Sequence, residues 1–332
     1  MNSKVMIYAC GGAGINITAA SERVRTSTAG SGYAQIEQVY IDTSRSNLRN
    51  MEAAEEFTYL IEGLDGSGYV RAQNHGPIAD SINPILHKFK PGYLNIVVSS
   101  LSGGSGSVIA PELVSELLAR DENVIVIGIG SSESLIETEN TLKTLKSYAN
   151  IAATRETPVI MEFIDNAVCG RKEADEIAYM TFLRLASLFS GQHHELDSAD
   201  LRNWLRFHRV TRYEPMVASL RYFIDSDEIK ADLSKVSGTI ITMASLYPEN
   251  GDSSIDVRVG YRCRGFVSPE NQQFIQLTKA ANFAICDGDI GYAIKHFQKL
   301  VSQYEEELTA SRRAQKSHLS GNDKPTKSGL IL

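Results

Sequence analysis

The chain has 332 residues, which is enough for one large domain or two closely packed ones. Hydrophobic residues make up 42% and charged residues 22% of it, so collagen-like, coiled-coil and low-complexity proteins are excluded. The formal net charge of -7 argues against a protein that binds nucleic acid directly over a broad basic face.

Short apolar segments that end in glycine or polar residues recur through the first half of the chain. They cover residues 5–10, 38–41, 94–99, 124–129 and 158–164. Segments that are apolar on both faces suit the strands of a parallel sheet covered by helices. We therefore predict an α/β fold with a parallel, Rossmann-like sheet over residues 1–168, and such sheets bind ligands at the carboxyl ends of their strands.

A helical pattern follows the predicted sheet. Over residues 173–189, apolar side chains recur among charged ones at the spacing of a helix. These apolar side chains are Ile177, Phe182, Leu185 and Leu188. We predict a long central helix within residues 169–191, which leaves the sheet and leads into the second half of the chain.

The second half begins with a short helical stretch at residues 200–207. Apolar runs follow at residues 216–224, 238–246 and 255–266. The last two runs flank a turn-rich segment, so we predict that they are neighbouring strands. Residues 192–286 are therefore predicted to form a smaller α+β domain.

The C-terminal region contains two predicted helix starts. The Ser-Pro-Glu sequence at residues 268–270 is a typical start, with serine as the cap and proline at the first helical position. A longer helix is predicted over residues 287–316, because apolar residues recur at steps of three and four. Residues 317–332 are mostly polar, with a basic excess and an apolar tip, and predict a flexible tail.

The four cysteines form no C-x-x-C pair and no zinc-ligand spacing, which indicates free thiols in a reducing cytosol. The start of the chain lacks an apolar signal segment, and the longest apolar run is too short to span a bilayer. We therefore expect a cytoplasmic protein with no membrane partner. Only Asp197 stands at ligand spacing from His193 and His194, so this pair predicts exposed histidines rather than a metal site.

Two glycine-rich segments lie at predicted strand-to-helix junctions. The first is Cys-Gly-Gly-Ala-Gly-Ile-Asn at residues 10–16, and the second is Ser-Gly-Gly-Ser-Gly-Ser at residues 102–107. Because glycine has no side chain, the backbone can approach a phosphate, and the amino end of a helix stabilises the phosphate charge. Two such loops on separate junctions can hold a triphosphate from two sides.

Other phosphate-binding motifs fit less well. No G-x-x-x-x-G-K-[ST] sequence occurs, so a P-loop NTPase is excluded. A Rossmann G-x-G-x-x-G motif that began at Gly12 would require glycine at position 17, where this chain has isoleucine. An NAD(P)-binding Rossmann enzyme remains an alternative, because Asp42 stands where such enzymes carry a ribose-binding acid. This alternative leaves the second glycine loop unexplained.

The two loops together resemble the tubulin and FtsZ superfamily, although Ser102 stands where glycine is usual. The L-D-x-x-D-x-x-N-W arrangement from Leu196 to Trp204 resembles the phage-encoded tubulins of the PhuZ group in particular. The resemblance covers residues 4–313. It implies a tubulin/FtsZ-like fold with a GTPase sheet, a long central helix, a smaller second domain and a C-terminal helix. It also implies a cytoskeletal filament that hydrolyses GTP, with Mg²⁺, between successive subunits.

The resemblance further implies which residues contact GTP. The phosphates are expected on Gly11, Gly12, Ala13 and Gly14 of the first glycine-rich segment, which corresponds to the family's first nucleotide-binding loop. They are also expected on the second glycine-rich segment, which corresponds to the family's fourth loop and contains Ser102, Gly103, Gly104, Ser105, Gly106 and Ser107. Asn16, Asp42, Asn166 and Asp175 are further expected contacts. The family's third and fifth nucleotide-binding loops are expected to contribute Gly66 and Ser67, and Glu133, respectively. Asp175 would accept the guanine N1 and N2 hydrogens, which adenine does not offer. A surface turn explains residues 63–68 equally well, and a solvated helix face explains Asp175.

Asp197 and Asp200 are the catalytic residues that the resemblance implies, because a loop after the central helix acts on the neighbour's nucleotide. Carboxylates three residues apart at a helix start can point outward together and polarise an attacking water. Helix capping is the alternative role. A GTP-binding filament that does not hydrolyse GTP is a further alternative function. The resemblance also implies phage cargo in an infected bacterium, and a tail that contacts the next subunit.

Overall fold

The computed structural model describes residues 4–20, 34–49, 55–64, 71–190, 197–223, 239–248, 261–267 and 281–319. Its strands are β1 Lys4–Cys10, β2 Gln35–Asp42, β3 Thr58–Leu60, β4 Leu94–Ser100, β5 Val124–Gly130, β6 Val159–Asp165, β7 Val217–Phe223, β8 Ile240–Pro248, β9 Tyr261–Val267 and β10 Ala281–Cys286. Its helices are α1 Gly11–Ala20, α2 Arg45–Arg49, α3 Arg71–Lys88, α4 Gly106–Ala119, α5 Leu135–Thr154, α6 Asn166–Cys169, α7 Arg171–Leu188, α8 Ser198–Leu205 and α9 Asp289–Leu319. Short 3-10 turns cover Glu55–Phe57 and Phe207–Arg209.

All described strands belong to one sheet, in the order β3-β2-β1-β4-β5-β6-β7-β10-β8-β9. The pairs from β3 to β7 are parallel, whereas β10 pairs antiparallel with β7 and β8, and β8 pairs antiparallel with β9. The predicted parallel sheet and the predicted pairing of the last two apolar runs are therefore confirmed. The three-residue strand β3 was not predicted.

Helices cover both faces of the parallel part of the sheet. Alternate residues of β1 enter different cores, as a strand's two-residue period requires. Val5 and Ile7 pack in the core that contains Phe182 of α7 and Trp204 of α8. Met6 and Tyr8 pack in the opposite core, which contains side chains of α3, α4, α5 and α9. This burial on both faces explains why the strands are almost continuously apolar.

The central helix α7 matches the predicted one closely. It begins at Arg171, directly after Gly170, whose φ of 78° turns the chain out of α6. Ala174, Ala178, Phe182 and Leu185 form its buried stripe at steps of four and three. Because this stripe continues the core beneath β4 to β6, α7 connects the parallel sheet to the second half of the chain.

The C-terminal helix α9 differs from the prediction at both ends. It begins at Asp289 rather than at residue 287, because the carboxylate of Asp287 accepts the backbone N–H of Thr239 at 2.6 Å and Gly288 adopts a φ of 86°. It continues to Leu319, three residues into the segment expected to be a flexible tail. The helix start predicted at residues 268–270 and the rest of the tail lie outside the described residues.

Within the described ranges, no helix has both the length and the apolar composition that crossing a bilayer requires. Cys10, Cys169 and Cys286 are free thiols.

Glu162 of β6 makes stability depend on pH. Burial raises its pKa to about 7, although the Thr181 hydroxyl and the Arg184 guanidinium of α7 act in the opposite direction. The pKa of an unfolded glutamate is about 4.3, so the folded state holds this proton more tightly, and stability is lost as pH rises from about 4.3 to about 7.

Glu162→Gln is expected to remove this loss, because glutamine stays neutral. Thermal melts between about pH 5 and about pH 8 should show the variant gaining on the wild type as pH rises. Parallel profiles for the two proteins would contradict this assignment.

Candidate functional site

The two glycine loops meet where β1 and β4 end. Gly11 has a φ of 73°, which favours glycine, and a Cβ atom on it would lie 2.8 Å from the backbone nitrogen of Gly106. A Cβ atom on Gly106 would lie 2.6 Å from the carbonyl oxygen of Cys10. The loops therefore touch backbone to backbone, and neither position has room for a side chain.

A cavity of about 540 Å³ opens over these loops, at the carboxyl ends of β1, β2, β4, β5 and β6. Its volume is within the usual range for small-molecule sites. The predicted residues that line it are Gly11, Gly12, Ala13, Asn16, Asp42, Ser102, Gly103, Gly104, Ser105, Gly106, Asn166 and Asp175. The structure thus brings together the first loop, the fourth loop and the two residues expected near a base.

Three predicted contacts have other surroundings and do not line the cavity. Gly14 packs against the carbonyl of Val98, so its missing side chain lets α1 approach β4. The carbonyl of Ser107 accepts a hydrogen bond from Arg71 at 3.0 Å. The carboxylate of Glu133 pairs with Arg171 at 3.0 Å. Gly66 and Ser67 lie outside the described residues.

Asp42 organises the turn that follows β2. It is 1% exposed, and its Oδ1 atom accepts the backbone N–H groups of Thr43 at 2.6 Å and Ser44 at 3.1 Å. Its Oδ2 atom accepts from Nδ2 of Asn47 at 2.7 Å. The Thr43 hydroxyl in turn lies 2.6 Å from the Ser105 hydroxyl. The Thr43 hydroxyl also donates to Oδ1 of Asp42 at 3.5 Å, so Asp42 fixes the turn against the fourth loop and its carboxylate already accepts four hydrogen bonds.

Sequence reasoning did not assign several other lining residues, namely Ser44, Asn47, Ser100, Ser131, Glu137 and Arg171. A signal existed for the first two, because an aspartate at a strand end followed by serine and asparagine is typical of a side-chain-stabilised turn. Arg171 is the one basic side chain among the described lining residues. It comes from the first turn of α7, and its pairing with Glu133 joins that turn to the loop after β5.

The floor of the cavity suits an anion. Helices α1 and α4 both begin at this floor, at Gly11 and Gly106. The side chain of Ser105, which precedes α4, makes no capping hydrogen bond to the first turn. The first backbone N–H groups of α4 therefore have no side-chain cap, and the positive end of the helix dipole stabilises negative charge there.

The opposite end of the cavity offers hydrogen-bond acceptors. The Oδ1 atom of Asn166 is buried and has no hydrogen-bond partner among the described residues. Asp175 lies on α7 at the cavity wall, where partial burial raises its pKa. A ligand with N–H groups at this end would satisfy both residues.

Asp197 and Asp200 form a reciprocal capping box at the start of α8. The Oδ1 atom of Asp197 accepts the backbone N–H groups of Ala199 at 2.7 Å and Asp200 at 3.0 Å. The Oδ2 atom of Asp200 accepts the backbone N–H of Asp197 at 3.1 Å. The capping alternative is thus realised, but the second oxygen of each carboxylate takes no part in the box.

Helix α8 lies at the edge of the sheet opposite the cavity. The hydroxyl of Tyr93, which directly precedes β4, donates to the carbonyl of Ser198 at 3.1 Å. The other end of β4 leads into the fourth loop, and its seven residues span roughly 20 Å. The two carboxylates and the cavity of one chain therefore cannot act together. The histidine pair at residues 193–194 lies outside the described residues.

No protein-family model matches the chain. It is 30% identical over 346 aligned residues to a phage tubulin-like protein of Pseudomonas phage phiKZ, covering 99% of this chain and 98% of that one. Its structure is similar to the protofilament of TubZ from bacteriophage PhiKZ, with a TM-score of 0.72, 28% identity and 99% of both chains covered. It is also similar to the phage tubulin PhuZ with GDP, with a TM-score of 0.73, 20% identity and 99% of both chains covered.

Proposed function

This chain belongs to the phage tubulin-like proteins, and on that premise we propose that it is a self-assembling GTPase whose subunits form filaments. The resemblance and the tubulin/FtsZ-like fold, both expected from the sequence, are confirmed by the comparisons. GTP would bind in the cavity of one subunit and be hydrolysed when α8 of the next subunit reaches it. The NAD(P) alternative loses its support, because the chain belongs to this family and because Asp42 is 1% exposed, with its carboxylate bound by donors of its own turn.

The observation that carries this proposal is the separation of the cavity from the carboxylates of α8. They lie at opposite ends of β4, so a head-to-tail arrangement would bring α8 of one subunit over the cavity of its neighbour. Each junction would then complete one site. A TubZ protofilament and a GDP-bound PhuZ are known among the similar structures, which supports both assembly and a guanine nucleotide.

The residues of the cavity fit GTP from both ends. The phosphates would lie on the touching loops at Gly11, Gly12 and Gly106, where two helices begin. The base would lie between Asn166 and Asp175. The described residues contain no cluster of metal-ligating side chains, so we propose that Mg²⁺ enters bound to the phosphate oxygens, whose charge it would offset.

The part of α8 in the reaction is to hold a water molecule in line with the terminal phosphate of the neighbour. The capping box fixes both carboxylates by their backbone-facing oxygens. The remaining oxygen of each group would orient the water and accept its proton. One structure can serve both roles, since a carboxylate has four lone-pair sites.

Phosphate release and pelleting, each measured with GTP, ATP and no nucleotide, test the proposal. We expect phosphate release and pelleting with GTP alone. Pelleting with GTP but without phosphate release would indicate the static scaffold instead. The absence of both would contradict the proposal.

Asp175→Asn is expected to weaken the binding of GTP and to strengthen the binding of xanthosine triphosphate. Guanine offers hydrogens at N1 and N2 to a carboxylate, whereas xanthine carries an oxygen at C2 that an amide nitrogen can reach. Competition binding with both nucleotides measures the change, which should reach about 1–3 kcal/mol for each nucleotide. Glu176→Gln, the adjacent exposed acid, is the control. If Asp175→Asn leaves the selectivity between the two nucleotides unchanged, Asp175 does not contact the base and belongs to a solvated helix face.

Cellular role and tail contacts are part of the same proposal. We place assembly in the cytoplasm of the infected bacterium, where the filament would position phage structures, and its basic tail would bind the acidic body of the next subunit. The support is family membership and the chain's net charge of -7.

A further inference from the structure

Asp121 holds three arginines at the amino edge of the sheet, beside α8. Its carboxylate lies 3.1 Å from Arg206, 3.2 Å from Arg209 and 3.5 Å from Arg202. Arg202 belongs to α8, Arg206 follows it directly, and Arg209 ends the next 3-10 turn. The loop before β5 is thereby joined to the carboxyl end of α8.

Arg206 makes this cluster a fixed part of the protein. Its side chain is 3% exposed, and its Nη2 atom donates to the carbonyl oxygen of Glu122 at 2.8 Å. Burial lowers the pKa of Arg206, while the neighbouring Asp121 raises it. A buried guanidinium requires a counter-charge, and Asp121 supplies it from 3.1 Å.

The backbone of Asp121 is unusual for a residue with a side chain. Its φ is 58°, in the left-handed region that glycine normally occupies at the end of a helix. The N–H of Asp121 bonds to the carbonyl of Leu118, and that of Glu122 bonds to Leu117, which is the Schellman pattern at the end of α4. Glycine would serve this turn without strain, so the carboxylate needs another explanation.

The second end of α8 is also fixed to the sheet. Tyr93, which directly precedes β4, donates to the carbonyl of Ser198 in the first turn. Near the carboxyl end, Nε1 of Trp204 donates to the carbonyl of Phe283 in β10 at 3.2 Å. A helix of eight residues is thus held at its beginning by Tyr93 and at its end by Trp204 and the arginine cluster.

We infer that Asp121 is a positioning residue for the reaction, which sets the direction in which α8 presents Asp197 and Asp200 to the neighbouring subunit. The inference rests on the proposed cross-subunit hydrolysis. Without the carboxylate, the three arginines repel one another and the end of α8 shifts. Since a displacement of about 1 Å at a catalytic group can cost a hundredfold in rate, turnover would fall before assembly does.

Asp121→Gly tests this directly, because glycine preserves the left-handed turn and removes only the carboxylate. We expect the turnover of GTP per assembled subunit to fall about ten- to a hundredfold, with the KM for GTP unchanged, because the cavity lies at the other edge. Asp121→Asn, which tolerates the same backbone, should fall between glycine and the wild type. Glu116→Gln, which removes an exposed pair with Arg120 on α4, is the matched control and should match the wild type.

Arg209→Gln provides a second route, since it loosens the cluster without leaving a buried charge unpaired. It should lower turnover in the same direction even where Asp121→Gly does not fold. A purely structural role would instead lower the melting temperature and assembly together, with turnover per assembled subunit at the wild-type value, and that result would overturn the inference. Should the wild type release no phosphate from GTP, the proposed function fails as well. If the Asp121 variants have wild-type turnover while Asp200→Asn is inactive, the inference about Asp121 is wrong but the proposed function stands.

Discussion

Replacing Asp200 by asparagine is expected to lower GTP turnover by about 10²–10⁴-fold while filaments still form with GTP. Asparagine retains an oxygen that can accept the backbone N–H of Asp197, which the native carboxylate accepts at 3.1 Å. The capping box is therefore preserved, and the change removes the negative charge that would accept the proton of the water. Phosphate release and pelleting on the same sample measure the two effects separately.

Two further variants separate chemistry from capping. Asp200→Ala removes the cap together with the charge, so it should lose turnover and also about 0.5–2 kcal/mol of stability. Asp80→Asn, an exposed acid on α3, should leave both unchanged. Wild-type turnover in Asp200→Asn would remove this residue from the mechanism and leave capping as its role.

A mixing experiment tests whether α8 acts on a neighbour. Asp200→Asn has an intact cavity, and a cavity variant such as Gly106→Ala has an intact α8. When the two are mixed, some junctions would combine the intact half of each, so the mixture should regain part of the turnover that neither protein shows alone. A mixture that forms joint filaments, but whose turnover does not exceed the sum of the two variants measured separately, would contradict a shared site.

The second large effect is expected from Gly106→Ala. A Cβ atom there would lie 2.6 Å from the carbonyl oxygen of Cys10, and the obstructing atom is backbone, which cannot rotate away. The loops must separate, so we expect no measurable GTP binding at concentrations that saturate the wild type. Overpacking of this kind also costs about 1–3 kcal/mol of stability. Titration calorimetry measures the binding, and thermal melts measure the stability.

Matched glycine variants show whether the effect is local. Gly291→Ala lies in α9 with nothing within 4 Å of the added Cβ, so it should bind GTP normally and gain about 0.5–1 kcal/mol from helix propensity. Gly103→Ala lines the cavity but meets only Ser100, at 3.9 Å, so it tests phosphate approach without separating the loops. Normal GTP affinity in Gly106→Ala would contradict the two-loop cradle.

Much of the fold could be predicted because burial on both sheet faces leaves a direct trace in the sequence. Residues 94–99 and 124–129 are apolar runs closed by glycine or serine, and the structure extends each by one residue. Helix α3 was missed for a physical reason: it contains Pro77 and Pro84, which normally end helices. The strand β3 has only three residues, too few to show any period.

The site was predictable as far as its glycines, but not the reason for each glycine. Gly12 and Gly14 look equivalent in the sequence, yet Gly12 lines the cavity and Gly14 permits a helix to approach β4. Long-range pairs left no sequence signal at all. The bond from Tyr93 to Ser198 joins residues 105 positions apart, and Asp121 meets Arg209 across 88 positions.

The distance between the cavity and α8 would make the two ends of a filament different. Because the two halves of a site sit at opposite poles of every subunit, a linear stack has one terminal cavity that no successor can complete. On the proposed mechanism, the nucleotide in that cavity would keep its third phosphate, whereas the nucleotides in completed sites would be hydrolysed. Growth and shortening of such a polymer would then begin at chemically different ends. This polarity would follow from the seven residues of β4, which separate the cavity from α8 in each subunit.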